Sequence, residues 1–139
     1  MAYVTHNYAL GNHVYDFSVL VEGEGKKEKI PYQLSFEPNR HENITTVTLV
    51  KLFHSDKEYI CHDLRKTVIV CFEDYFTKFP DDPVFFETEL AYEKNAIKFL
   101  KFLRWARLYK DQYLCRVDIV DKLEQNKNVL YAYVTITKI

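Results

Sequence analysis

The sequence predicts one α+β domain, in which a mixed and mostly antiparallel sheet carries two helices on one face. Three observations lead to this fold class. Apolar and polar residues alternate over residues 2–53, which is the periodicity of strands. Two later stretches repeat their apolar residues every three or four positions, as amphipathic helices do. Two more alternating stretches close the chain, whose 139 residues suit a single domain.

The predicted order of elements is β-β-β-β-α-β-α-β-β. The first four strands are predicted at residues 4–9, 14–22, 29–36 and 44–50. Leu10-Gly11-Asn12 is expected to form the first turn, because glycine accepts turn backbone angles without strain. In the third strand Pro31 lacks a ladder donor, which favours a sheet edge or a bulge at that point.

Both helices are predicted from their apolar spacing and their ends. The first follows an N-cap at Asp63 and stops at Phe79-Pro80, because the residue before proline leaves helical geometry. Cys71 lies on its apolar side and is expected in the core. The second helix is predicted over about 93–109, with a buried stripe at Ala96, Ile97, Leu100, Leu103 and Leu108 that is widened by Phe99, Phe102 and Trp105. A strand at 84–88 separates the helices, and strands at 113–120 and 129–137 follow around a turn at 124–128.

Composition excludes several classes of protein. Nineteen basic and twenty acidic residues leave a net charge of -1, so no overall field attracts nucleic acid. No apolar run approaches the ~20 residues of a membrane span, and no secretion signal is recognised. Three cysteines, at positions 61, 71 and 115, suit reduced thiols better than a disulfide framework. A cytoplasmic protein without a membrane partner is therefore expected.

A basic stripe on the second helix is the candidate ligand site. Four side chains are assigned to anion binding: Lys98, Lys101, Arg104 and Arg107. Arginine binds carboxylates and phosphates through two parallel hydrogen bonds, and a helix packed on a sheet holds such groups rigidly. A solvent-exposed face opposite the apolar stripe is the alternative interpretation.

Two further clusters are weighed against ordinary structural roles. The loop before the first helix has the residue types of zinc or thiol chemistry, at His54, Cys61, His62 and Asp63, but it lacks the two close ligand pairs of a structural zinc site. No metal, cofactor or catalytic residue is therefore predicted. Aromatic residues of the strands are the residue types that stack on bases, but no basic surround accompanies them, so packing is the favoured role.

The segment from the first helix to Phe99-Leu100-Lys101-Phe102-Leu103-Arg104-Trp105-Ala106-Arg107-Leu108-Tyr109 resembles small uncharacterised bacterial proteins that are grouped as domains of unknown function. The resemblance covers about residues 15–109. It implies an N-terminal β-meander followed by helix, strand and helix, and it implies no activity.

The order of elements also resembles the core of the Gcn5-related N-acetyltransferases, and Ala106-Arg107-Leu108-Tyr109 is similar to the end of their last core helix. Those enzymes bind the coenzyme A pyrophosphate on a glycine-containing loop before the first core helix. Here that loop, residues 59–63, has no glycine and ends in an acidic residue. The resemblance implies the fold, and the loop argues against the activity.

The leading hypothesis is a non-catalytic module that forms a homodimer or binds another protein, through an aromatic-rich sheet edge or the second helix. Its basis is the lack of a catalytic motif and the large number of aromatic side chains, which favours an interface. A protein that binds a nucleotide or another phosphate-bearing small molecule is the second hypothesis. A divergent acetyltransferase-like enzyme is the third.

Overall fold

The computed structural model describes residues 4–23, 25–39, 41–52, 62–91 and 93–139. The fold class is α+β, as predicted, with seven strands that pair mostly antiparallel and two helices in the predicted order. The chain divides into two compact units, unit 1 at Met1–Pro80 and unit 2 at Asp81–Ile139. One domain over the whole chain stays a prediction.

Unit 1 is an antiparallel meander with one helix. Its elements are β1 (Val4–Ala9), β2 (Asn12–Gly23), β3 (Lys26–Asn39), β4 (Ile44–Lys51) and α1 (His62–Lys78). Each strand pairs with the next one along the chain. Pro31 lies on β3 opposite Ser18, just beyond Tyr32, which is where the ladder with β4 ends. Strand β3 is therefore not an edge strand, because it pairs with both β2 and β4. Pro31 instead lies where the pairing with β4 ends.

The core of unit 1 lies between α1 and the strands. Alternate residues of β2 and β3 are buried there, and α1 contributes the apolar side predicted from its spacing. The Phe36 and Tyr75 rings stack with centroids 4.1 Å apart. Cys71 is buried, as predicted, and burial raises the pKa of its thiol to about 12. The helix begins at His62, one residue before the predicted N-cap, and ends at the predicted proline stop.

Unit 2 is a three-stranded antiparallel sheet with one helix. Its elements are β5 (Val84–Glu89), α2 (Glu93–Leu108), β6 (Tyr113–Glu124) and β7 (Lys127–Lys138). Strand β7 pairs with β5 on one side and β6 on the other. Along β7, Ala132, Val134 and Ile136 are buried, and the intervening Tyr131 and Tyr133 are half-buried on the opposite face, as the alternation predicts.

The β6–β7 turn is shorter than the predicted 124–128. Glu124 pairs with Lys127, so only Gln125 and Asn126 form the turn, both with positive φ of 47° and 63°. Two residues in the left-handed region make a type I′ turn, whose twist matches that of the strands it joins. The polar residues on either side therefore continue the ladder.

In the part of the chain that the structure describes, no helix is long and apolar enough to cross a membrane.

Candidate functional site

The four basic residues assigned to anion binding lie along α2. Lys98, Arg104 and Arg107 are exposed, and Lys101 is half-buried. Successive members are three residues apart, so each is rotated by about 60° from the previous one, and together they extend over about half the helix circumference. This spread does not direct all four at one small anion, and the anion site stays a prediction.

The buried side of α2 differs from the predicted stripe. Ile97, Leu100 and Leu108 are exposed by 45%, 58% and 64%, whereas Phe99 is 9% exposed. Phe102 packs edge-on against Phe86 of β5, with ring centroids 4.9 Å apart. Apolar residues occur all round this helix, so the spacing of its apolar residues alone does not decide which of two faces is buried. The bulky phenylalanines occupy the buried one because they cover more area of the sheet.

The outward face of α2 therefore mixes leucine and isoleucine with arginine. Ile97, Leu100, Arg104 and Leu108 lie within about 80° of one another around the helix. A solvent-exposed helix face is usually polar. The exposed aliphatic side chains of α2 are thus the first candidate contact surface in unit 2.

Strand β6 is the second candidate surface. Among the strands of the described residues, β6 pairs only with β7 and so forms an edge. Leu114, Ile119 and Leu123 of this strand are 61%, 55% and 73% exposed. At β6 the exposed large apolar side chains are aliphatic. Tyr131 and Tyr133 lie on β7, inside the sheet. An interface through an aromatic-rich sheet edge stays a prediction.

Two tyrosines of β7 make cation–π contacts with Lys122 of β6. Lys122 Nζ lies 4.9 Å from the centroid of Tyr131 and 4.8 Å from that of Tyr133. The Tyr131 hydroxyl donates to Glu124 Oε1 at 2.8 Å, and this hydrogen bond raises the pKa of Tyr131 to about 12. Both ring faces therefore contact a lysine of the neighbouring strand.

Unit 1 contains a polar cluster that the sequence interpretation missed. The histidine cluster consists of His6, His13, Tyr15, Asp74 and Lys78. Asp74 Oδ2 accepts from the Tyr15 hydroxyl at 2.6 Å and from Lys78 Nζ at 2.8 Å. Lys78 Nζ also lies 3.2 Å from His6 Nδ1, and His6 Nε2 lies 3.0 Å from His13 Nδ1. A continuous hydrogen-bonded chain therefore runs from Asp74 to His13.

The lysine fixes the tautomers of both histidines. An ammonium group has only donors, so His6 Nδ1 accepts from Lys78 and His6 carries its proton on Nε2. That proton is donated to His13 Nδ1, and His13 carries its own proton on Nε2. Both imidazoles are neutral in this arrangement. A further proton on His6 Nδ1 would replace a hydrogen bond with two adjacent positive charges.

Burial and neighbouring charges shift the pKa values of the cluster in a consistent direction. Desolvation, followed by the charge of Lys78, lowers the pKa of His6. Desolvation, then His6 and Lys78, lower the pKa of His13. Hydrogen bonds from Lys78 and then Tyr15 lower the pKa of Asp74. The cluster therefore favours neutral imidazoles beside an ionised carboxylate, and its protonation is coupled to the packing of the β1–β2 hairpin against α1.

The length of the β1–β2 turn places the two histidines and Tyr15 of this cluster on the same face of the hairpin. With Leu10 and Gly11 alone in the turn, His6 lies opposite Tyr15 and Tyr8 lies opposite His13. Both histidines then share one face of the hairpin. Nothing in the local sequence indicates that Asp74 and Lys78, about sixty residues later, meet them. The described residues include no group of three side chains suited to hold a metal ion, and the loop with His54 and Cys61 lies outside them.

Comparison of the chain with protein-family models, with curated proteins and with solved structures found no match. Both family resemblances stay predictions.

Proposed function

We propose that this protein is a non-catalytic interaction module that self-associates through unit 2. The observation that carries the proposal is the set of exposed aliphatic side chains on two elements of that unit. On α2 and β6 these are Ile97, Leu100, Leu108, Leu114, Ile119 and Leu123.

Burial of such side chains favours association. Removing apolar surface from water contributes roughly 25 cal/mol per Å², and a fully buried leucine contributes about 2 kcal/mol. Single exposed leucines are ordinary on a soluble protein. Ile97, Leu100 and Leu108, however, share one side of α2, and exposed apolar side chains that lie together are typical of an interface. A contact that covers them would gain several kcal/mol before the cost of association is subtracted.

A second copy of the same chain is the occupant that we favour. The net charge of -1 produces little long-range repulsion between identical molecules. A sheet edge also offers the same pattern of donors and acceptors to any second strand, including its own copy. Identical copies that meet through one edge form a closed dimer related by a two-fold axis.

Native mass spectrometry of the purified protein tests the proposal. A mass of at least twice the 16.6 kDa of one chain is expected. Leu114→Glu on β6 should shift the protein toward monomer by placing a carboxylate in the apolar contact. Leu49→Glu is the control, because Leu49 is also an exposed leucine, at 42% against 61% for Leu114, and it lies on β4 of unit 1. A monomer at every concentration, or dissociation by the control alone, would overturn the proposal.

The same spectrum, together with a thermal-shift measurement, separates the other hypotheses. A retained phosphate-bearing compound that Arg104→Glu removes would support the anion-binding protein in place of self-association. Selective stabilisation by acetyl-coenzyme A would support the acetyltransferase-like enzyme.

A further inference from the structure

Strand β6 is long for an edge strand. It has 12 residues, whereas strands in globular proteins most often have five or six. Natural sheet edges are usually short, or carry charges that block pairing with another strand. On β6 the charges lie mainly at its end, at Asp121, Lys122 and Glu124, and residues 113–120 carry only Arg116 and Asp118.

Symmetry restricts how two copies of β6 can pair. In an antiparallel pair related by a two-fold axis, one residue lies opposite its own copy, and every other pair is placed symmetrically about it. Directly opposite residues point to the same face of the sheet. The choice of the central residue therefore determines every contact between the two strands.

Charge selects among these registers. A centre at Arg116 places two arginines opposite each other, and a centre at Asp118 places two aspartates together. A centre at Val117 instead pairs Arg116 of each copy with Asp118 of the other. Opposite charges in cross-strand positions stabilise a pair, and like charges destabilise it. Arg116 and Asp118 already share one face within the chain, with Nε and Oδ2 3.3 Å apart.

The apolar residues agree with the same centre. Val117 then meets its own copy, Leu114 meets Val120, and Cys115 meets Ile119. Leu114 and Ile119, both more than half exposed, each gain an apolar neighbour. A centre at Val120 also pairs opposite charges, but it places Ile119 against Asp121, which buries a carboxylate beside an apolar side chain.

We propose that two copies of this chain join through antiparallel pairing of their β6 strands, with Val117 on the two-fold axis. This inference rests on the proposed self-association and specifies its interface. The β6 strand of one copy then lies beside the β6 strand of the other, so that the strands of the two unit 2 copies continue one another's sheet.

Cysteine cross-linking tests the register. Val117→Cys, in a background with Cys61→Ser and Cys115→Ser, should form an intermolecular disulfide under mild oxidation, because directly opposite side chains lie within disulfide reach. Val120→Cys in the same background is the matched control. If Val117 lies on the axis, the two copies of residue 120 are about 20 Å apart along the strands, which is too far for a disulfide. Cross-linking by the Val120 variant alone would overturn the register.

Charge reversal provides a second test that does not depend on new cysteines. R116D and D118R should each weaken self-association by about tenfold or more, because each places like charges opposite one another in both cross-strand pairs. A mixture of the two variants should associate again, since every cross-strand pair then has opposite charges. Recovery in the mixture also shows that both variants are folded.

The results distinguish the two proposals. If the unmodified protein is monomeric, self-association itself is wrong. If it forms a dimer that neither charge variant weakens and that V117C does not cross-link, self-association stands and pairing through β6 is wrong.

Discussion

Leu10 shows how a single residue can conflict with the local geometry around it. It has a positive φ of 53° in the first turn, followed by Gly11 with φ of 84°. The Cβ of an L-residue clashes in this region, at a cost of roughly 1–2 kcal/mol, and type I′ turns strongly prefer Asn-Gly. The Leu10 side chain is fully exposed, so it gains no burial there to offset the strain.

We expect Leu10→Asn to raise the free energy of unfolding by about 0.5–1 kcal/mol, because asparagine tolerates the left-handed region. Urea denaturation at neutral pH measures the change. Leu20→Asn replaces another exposed leucine, within β2. It should give no gain, since the benefit comes from the turn backbone. An equal gain from both variants would show that removal of an exposed leucine is the cause.

At the scale of the element, α2 illustrates that the bulk of side chains selects the buried face. Phe99 is nearly covered, and its neighbour Leu100 is more than half exposed. We expect Phe99→Ala to lower the free energy of unfolding by about 3 kcal/mol or more, because it opens a cavity. Leu100→Ala should change it by about 0.5 kcal/mol or less. Chemical denaturation at low protein concentration measures the free energy of unfolding of both variants. A larger loss for Leu100→Ala than for Phe99→Ala would show that the buried face is the one predicted from the sequence.

The β1–β2 hairpin and α1 are joined by the histidine cluster, and this junction responds to pH. The lowered pKa values of His6 and His13 mean that the unfolded chain binds more protons than the folded one below the ordinary histidine pKa of about 6.5. Stability is therefore highest above that pH and decreases as the pH falls through it. The lowered pKa of Asp74 extends the same trend to acidic pH below about 4.

Replacing His6 should make stability less dependent on pH. We expect the free energy of unfolding of the natural protein to decrease from pH 7.5 to 5.5, and His6→Gln to flatten this dependence. His41→Gln is the control, because His41 is an exposed histidine in the β3–β4 turn. Chemical denaturation at several pH values measures the slopes. Equal slopes for the natural protein and the His6 variant would show that the cluster does not couple protonation to folding.

At the scale of the whole molecule, self-association should be visible in stability. A contact made only by folded chains stabilises the folded state by mass action, so its effect grows with protein concentration. We expect the unfolding temperature to rise over a roughly hundredfold increase in concentration and to stay constant for R116D. Calorimetry measures both. A temperature independent of concentration in the natural protein would contradict a dimer of folded chains.

The fold class and order of elements could be predicted because their signals are local. Alternation along β7, the spacing of Leu64 to Phe76 in α1 and the proline stop involve residues close in the chain, where sterics and solvent exposure decide the backbone. Turn lengths were harder to predict from the sequence. The two-residue turn at Gln125-Asn126 depends on how far the β6–β7 ladder continues, which pairing across the sheet decides.

By itself, the sequence determined the α+β class, the nine elements and the apolar side of α1. Only the tertiary structure decided which side of α2 is buried and that the hairpin histidines meet Asp74 and Lys78. Both outcomes depend on residues far apart in the chain. Side-chain volume and charge select contacts only after the backbone has brought such residues together, and a single sequence does not record which distant residues become neighbours.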